Sequence, residues 1–386
     1  MEAFKMTKPR ILFAAYQTDR GSNGGIESAT AIFEALADDF SWTLLTNRET
    51  PRTARWRAGG ARVVRFAFDD RAGKIVRGAQ LSLAAAQALT LRADVLHGND
   101  IRGVEVLLPS AWLSRAPLAL TLRDTKPEGE SYGASWQRVG QRLDALITLS
   151  DSMAQCVGGR LPVPNSRRHT INSIVDFDVF RYPDSDHRKS LRDRLGIGEE
   201  ECAIGVVAAV SEKKRQFEFI RNVLPKLADL PVRLHLVGDF DPKTDPYARS
   251  CADLVLTQGL EDQVVFHGFR SDVADWLAAL DIVVVASLRE GLARCMIEAM
   301  ACGTPVVSVD VCSAREMIQR TGAGIVVGRD DWADLAAAVR DLSIDSGKRR
   351  AMGRVGHEVA LAQFSKQRLA QSWRELYTNL GGTKVE

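Results

Sequence analysis

The stretch DIVVVASLREGLARCMIEAMACGTPVVSVD occupies residues 281–310, and its reading decides the fold. The β-branched run IVVV predicts a buried parallel strand. LREGLAR follows as a loop. An apolar-periodic stretch over 293–302 predicts a helix, stopped by Gly303 and Pro305. VVSV predicts the next strand. The order makes a βαβ unit whose helix starts at the carboxyl end of a strand. Two glutamates frame that start. Glu290 lies in the loop. Glu298 lies between Ile297 and Ala299, where a carboxylate needs a partner. A salt bridge would satisfy Glu298, and so would a ribose diol with its two donors. A helix-dipole contact would account for Glu290. Backbone N–H groups near 291–294 are suited to a phosphate.

Outward from this unit, apolar runs alternate with amphipathic ones along the chain. ILFAAY, WTLLT, ARVVRFAF, DVLHG, PLALTLR, DALITLS and RHTINS read as strands of a first half. CAIGVVAAV, VRLHLVG, QVVFHG, DIVVVAS, PVVSV and GIVV read as strands of a second. The expected class is α/β, with two Rossmann-like doubly wound domains facing a cleft. The expected domains are 1–180 and 181–363, with a helix and tail over 364–386. The polar segment 176–190 is the expected linker. The tail helix is expected to cross back to the first domain.

A chain of 386 residues has room for two such cores. A net charge of +2 without a Lys/Arg block excludes an obvious nucleic-acid binder. Charge is nevertheless concentrated in the window 52–77. Eight basic residues there (Arg52, Arg55, Arg57, Arg62, Arg65, Arg71, Lys74 and Arg77) outweigh Asp69 and Asp70. That window suits either a solvated face or peripheral contact with an anionic membrane. The chain start lacks the apolar core of a signal peptide, and no run is long enough to span a bilayer. The six cysteines show no CxxC or metal spacing, so a cytoplasmic protein with reduced thiols is expected.

The first strand is followed by TDRGSNGGIESATAIFEALA, with Gly21, Gly24 and Gly25 ahead of a helix. Such glycines permit close backbone approach to a ligand, or simply a tight turn. The spacing is not GxGxxG, which disfavours an NAD-dependent oxidoreductase.

SLREGLARCMIEAMACGTPVVSVD, with its E-x7-E, resembles the signature of retaining GT-B glycosyltransferases of family 4. GGIE, ADVLHGND, DALITLSDSM, TINSIVDFDVF, VVFHGFRSDVADWLAALDIVVVASLREG, GAGIVV and DDWADLAAAVRDL are similar to that family's segments, in the same order over most of the chain. The resemblance implies a nucleoside diphosphate sugar as donor and no required cofactor. It implies that Glu298 holds the ribose, that Glu290 touches the donor sugar, and that Gly291, Leu292 and Ala293 receive the diphosphate. Gly24, Gly25, Gly268 and Phe269 would complete the donor contacts. His97 and Asp124 are candidates for the acceptor side.

Two departures stand out. The family carries Gly-Arg shortly before a lysine, which together clamp the diphosphate. Here Ala208-Ala209 precede Lys213 and Lys214. Lys214 fits the lysine, and Arg294 is the expected source of the missing charge, with Arg270 or Arg289 nearby. Arg123 stands where many relatives have a histidine that contacts the donor sugar, and it would suit a charged sugar, an anionic acceptor or an ion pair with Asp124. Two D-x-D pairs, Asp176 with Asp178 and Asp239 with Asp241, read as turns rather than metal sites, and no metal is expected. Ser313-x-x-Glu316 reads as a capping box. The expected function is transfer of a sugar, with retention, to a glycan or lipid-linked acceptor in cell-surface polysaccharide synthesis. A GT-B epimerase or hydrolase and a non-catalytic sugar-nucleotide-binding partner subunit are the alternatives.

Overall fold

β-branched and leucine-rich runs place 13 strands in two sheets among the described residues, which in this computed structural model are 8–17, 24–69, 72–126, 130 and 132–382. The first sheet contains β1 (Arg10–Ala15), β2 (Ser41–Thr46), β3 (Arg62–Arg65), β4 (Val95–Gly98), β5 (Leu118–Thr121), β6 (Ala145–Thr148) and β7 (Arg168–Thr170). The second contains β8 (Cys202–Val207), β9 (Val232–Val237), β10 (Val264–Gly268), β11 (Ile282–Val285), β12 (Val306–Val309) and β13 (Gly324–Val327). Every expected strand is present, and all neighbours pair in parallel.

The sheet orders are β3-β2-β1-β4-β5-β6-β7 and β10-β9-β8-β11-β12-β13. Each begins in the middle, builds to one edge, then restarts on the other side. That reversal creates a switch point at β1/β4 and another at β8/β11, where the following loops diverge. Inner strands such as β11 are buried along their whole length, because helices cover both faces of a doubly wound sheet.

The chain separates into one unit of Met1–Ile174 with Lys366–Glu386, and a second of Val175–Ser365. The C-terminal helix Lys366–Gly381 buries Leu369, Ala370, Trp373, Leu376 and Tyr377 in the core of the first unit. There they join Phe13, Phe33, Trp42 and Trp56, with Phe33 stacked on Trp56 at 4.4 Å. Each fully buried large side chain of this kind contributes about 1.5–3 kcal/mol.

The segment 176–190 is more structured than a linker. Asp184 caps the helix Ser185–Leu195 through His187 N–H, at 2.8 Å. The Tyr182 ring lies where a Cβ on Gly303 would stand, and it meets His357 at 5.0 Å between ring centroids. These apolar contacts hold the segment in the second unit. Asp176 and Asp241 accept backbone N–H groups two residues on, forming Asx turns. No group of three or more His, Cys, Asp or Glu able to hold a metal occurs among the described residues.

Candidate active site

In the second unit, the loops after β8 and β11 meet at the switch point. After β8 the chain runs through Ala208-Ala209 into a 3-10 turn, Glu212–Lys214. Gln216 ties this loop together, accepting from Ser211 N–H and donating to the Ala209 carbonyl. Arg215 then takes a left-handed conformation (φ 59°) that costs a non-glycine residue about 1–2 kcal/mol. Its guanidinium offsets this by donating to Asp330 and the Arg329 carbonyl and by lying 4.6 Å from the Trp332 ring centroid.

The loop after β11 is bound to this turn twice. Leu288 N–H donates to the Lys213 carbonyl at 2.8 Å. Lys214 Nζ donates to Glu290 Oε1 at 2.5 Å. Glu290 is 8% exposed. Burial alone pushes its carboxyl up, but Lys214, Lys213 and a Ser287 hydrogen bond outweigh that and hold it below the usual range. The pair is a buried carboxylate kept ionised by an ammonium group.

The helix itself covers Arg294–Ala301. Ala293 occupies its N-cap and supplies no side-chain cap hydrogen bond. The first amides of such a helix are an anion-binding feature. The Gly291 carbonyl accepts from the buried Ser313 hydroxyl. A trans peptide points its N–H opposite to its carbonyl, so this bond directs Leu292 N–H away from Ser313. Ser313 was expected to cap a helix, but the following segment, Arg315–Gln319, is a π-helical turn, and the hydroxyl donates to a residue 22 positions earlier.

Glu298 is buried and paired. Arg294 reaches one turn along the helix to its Oε1, at 2.7 Å from Nη2 and 3.0 Å from Nε. Arg294, the expected source of the charge missing at Ala208-Ala209, thus starts the helix and binds Glu298. The Cys295 thiol marks how close these groups lie. Burial pushes its pKa up to about 12, Lys214 opposes that, and Glu290 and Glu298 add to it. Arg270 forms a bidentate pair with Asp272. Gly268 is left-handed (φ 64°), with open space where a Cβ would stand, and Phe269 beside it is half exposed. Gly238 N–H donates to the Gly268 carbonyl, and only glycine fits at 238, since a Cβ there would lie 2.1 Å from the Ala208 carbonyl oxygen.

In the first unit, β1 and β4 bring different chemistry to the equivalent place. His97 is fully buried. Its ring bonds Tyr377 at 2.7 Å through Nδ1 and Thr121 at 2.8 Å through Nε2, and it stacks on Trp373. Burial first, and the Arg123 charge second, lower its pKa to about 3. It is a neutral core histidine, which corrects its expected acceptor role. Its chain neighbours carry the polar contacts. Asn99 donates to the Gly25 carbonyl and receives Arg123 on its side-chain and backbone oxygens. Arg123 is thus drawn to Asn99, whereas Asp124 turns an oxygen to Thr125 N–H. Asp100 caps the helix Ile101–Ser114 through Gly103 N–H at 2.7 Å and receives Tyr16 N–H at 3.3 Å. Burial raises its pKa to about 6, against Gly103, Arg123 and Arg102, which lower it. Asn99 and Asp100 escaped the sequence reading, although Asp before the apolar run IRGVEVLL is an N-cap signal.

Gly24 and Gly25 open the helix Gly24–Leu36. Gly21 and Arg71 lie outside the described residues. The basic window is partly neutralised, since Arg52 pairs with Glu27, Arg55 with Glu34 and Arg57 with Glu49.

Residues 201–345 match the family model described as glycosyl transferases group 1, and residues 23–172 match that of the glycosyl transferase 4-like domain. N-acetyl-alpha-D-glucosaminyl L-malate synthase of Bacillus anthracis is 26% identical over 214 residues, 55% of this chain and 54% of that protein. D-inositol 3-phosphate glycosyltransferase of Xylanimonas cellulosilytica is 30% identical over 261 residues, 65% of this chain and 60% of that one. The chain thus spans between half and two thirds of the length of these curated relatives. The crystal structure of Anabaena HepE in complex with UDP-glucose superposes with a TM-score of 0.81 at 21% identity, covering 96% of this chain and 100% of that one. That likeness establishes the GT-B type of fold. The two matched regions take in most of the sequence, one in each half, and the chain belongs to the group 1 glycosyltransferases with a family-4-like first domain.

Proposed function

We propose that the chain transfers a sugar, with retention at the anomeric carbon, from a nucleoside diphosphate sugar to a hydroxyl of a glycan or lipid-linked acceptor, in cell-surface polysaccharide synthesis. The observation that carries this reading is the buried Lys214–Glu290 pair beside an uncapped helix start at the second switch point. In this reading the N–H groups of Leu292, Ala293 and Arg294 hold the diphosphate. Lys214 neutralises the charge that grows on it as the glycosidic C–O bond breaks. Glu290 positions Lys214 and meets the sugar hydroxyls. Glu298 accepts from the ribose hydroxyls through Oε2, while Arg294 fixes its Oε1. The acceptor hydroxyl forms its new C–O bond on the face the phosphate leaves, and its proton passes to the departing phosphate oxygen. No side chain is needed as a covalent nucleophile. Arg123 supplies a positive group for the acceptor, and the names L-malate and D-inositol 3-phosphate among the relatives support an acceptor that carries negative charge.

The test is thermal stabilisation of the full chain by UDP, GDP, ADP, their sugars and NAD, for wild type, Lys214→Ala and Glu298→Ala. A ligand at about 100 times its Kd stabilises the native state by about 2.7 kcal/mol. One nucleoside diphosphate stabilising wild type, with both substitutions weakening it, is the expected result. Product anomers are then read by proton NMR. Donor consumption without acceptor would mean an epimerase or hydrolase. Binding without turnover under any acceptor would mean a partner subunit. Failure of every nucleotide near millimolar concentration overturns the donor site itself.

A further inference from the structure

The helix Lys74–Thr90 is amphipathic in an unusual sense. The residues it buries are small: Ala84, Ala85 and Ala88. Of its large apolar residues only Leu81 is part-buried; the others face outward. Ile75 is 90% exposed and Leu83 71%, and Val76, Ala79, Ala86 and Leu89 are exposed with them. Their spacing of three and four residues makes a stripe along the outside. The helix Ile101–Ser114 packs beside it and ends in Trp112 and Leu113, 62% and 73% exposed. A folded chain seldom leaves so many large apolar side chains together on adjacent helices without a partner.

Basic residues dominate the sequence of these helices and their C-terminal flanks. The chain contains 49 acidic residues, yet none lies between positions 71 and 93 or between 106 and 123. Lys74, Arg77, Arg92 and Arg115 flank the apolar residues. Glu105, on the second helix, is held by Arg102 at 2.7 Å. An apolar stripe with a tryptophan and a cationic border is the pattern of a surface lying in a membrane interface. Among the described residues no helix is long and apolar enough to cross a membrane.

We propose that the outward faces of Lys74–Thr90 and Ile101–Ser114 dock on an anionic lipid bilayer, with Leu83, Trp112 and Leu113 entering the interface and the four cations meeting headgroup phosphates. The docking gives the proposed lipid-linked acceptor its location and rests on that reading for its purpose, although lipid binding itself needs no sugar transfer. It also narrows the basic window 52–77, where Arg52, Arg55 and Arg57 are paired, to its last two cations, Lys74 and Arg77, and extends the lipid contact along the two helices.

The experiment is sedimentation of the full chain with vesicles of phosphatidylcholine alone and of phosphatidylcholine mixed with phosphatidylglycerol, at low and high salt. Binding to the anionic vesicles, weakened several-fold by salt and on neutral vesicles, is expected. The triple variant Leu83→Ser, Trp112→Ser, Leu113→Ser should lose about tenfold or more of that binding, since each buried methylene counts. These side chains are exposed, so the variant should keep the wild-type circular dichroism and nucleotide stabilisation. Wild type staying in the supernatant with both vesicle types overturns the proposal, as does equal binding by the variant. Light scattering adds the remaining outcome: a dimer that the triple variant turns into a monomer would assign the face to a second copy of the chain instead. If nucleotides fail to bind while vesicles do, the transferase reading falls and the lipid surface stands.

Discussion

The two switch points share a strand order and differ in how they treat the helix that follows. After β4, Asp100 caps the helix and accepts its Gly103 amide. After β11, Ala293 gives no side-chain cap. The first unit satisfies its helix start internally. The second has an N-cap residue, Ala293, that offers no side-chain hydrogen bond, and sets a lysine–glutamate pair beside the helix start. A cap is worth about 1 kcal/mol, so leaving it out is a cost that stability alone would not select. Identical topology therefore carries a helix start with a side-chain cap in one half and one without it in the other.

The sharpest way to break the contrast is Lys214→Ala. Turnover should fall about 100-fold to 1,000-fold, the range seen when one transition-state donor is removed. Glu290 would also be left buried without its ammonium, costing roughly 3–5 kcal/mol of stability. A Lys214→Met, Glu290→Gln double variant should regain stability in denaturant melts without regaining turnover. If it regains both, the pair is structural only.

Exchanging the caps tests the same point with a smaller effect. Ala293→Ser should stabilise the second unit by about 1 kcal/mol and weaken nucleoside diphosphate binding about tenfold, because the new hydroxyl competes for the same amides. Asp100→Ala should cost about 1 kcal/mol in the first unit and leave nucleotide affinity unchanged. Calorimetric binding together with thermal melts would read both.

The pH dependence of the first unit holds two opposed contributions. His97 is lowered to about 3, so the unfolded chain takes up its proton first, and stability is lost as pH falls from about 6.5 towards 3. Asp100 is raised to about 6, so its contribution is present at low pH and is lost as pH rises from about 4 to 6. Between pH 4 and 6 the two slopes offset. Asp100→Asn should leave the His97 slope alone, up to about 1.4 kcal/mol per pH unit, visible in melts across that range. A flat profile in the variant would mean that His97 titrates normally. The smallest effect is expected for Ser313→Ala. Loss of the bond to the Gly291 carbonyl should raise the donor KM a few-fold, with about 1 kcal/mol of stability lost.

What the sequence disclosed follows from the range of the interactions involved. The strands were legible because each is a short run of buried β-branched or leucine residues. The helix start at 294 was legible because a loop, an apolar period and a Gly-x-Pro stop enclose it. Glu298 announced itself as a carboxylate in an apolar face, and its i,i+4 arginine was readable in principle. Three features were not legible, because their partners are distant. The Ser313 hydroxyl bonds a carbonyl 22 residues back, His97 is satisfied by Tyr377 280 residues on, and Arg123 turns to Asn99 rather than to adjacent Asp124. Local pattern predicts which groups need partners. Topology chooses the partners.

The tail helix has a consequence for how the protein is made. Trp373 and Tyr377 belong to the hydrophobic core that Phe13 and Trp42 begin, and Tyr377 closes the hydrogen bond on His97. Domains usually complete themselves in order as the chain leaves the ribosome. Here that order is inverted. When residue 365 has emerged, the second unit is whole, while the half synthesised first still lacks part of its interior. Phe13 and Trp42 must wait for Trp373 and Tyr377, so a stop codon before position 373 would leave the core of the first unit open.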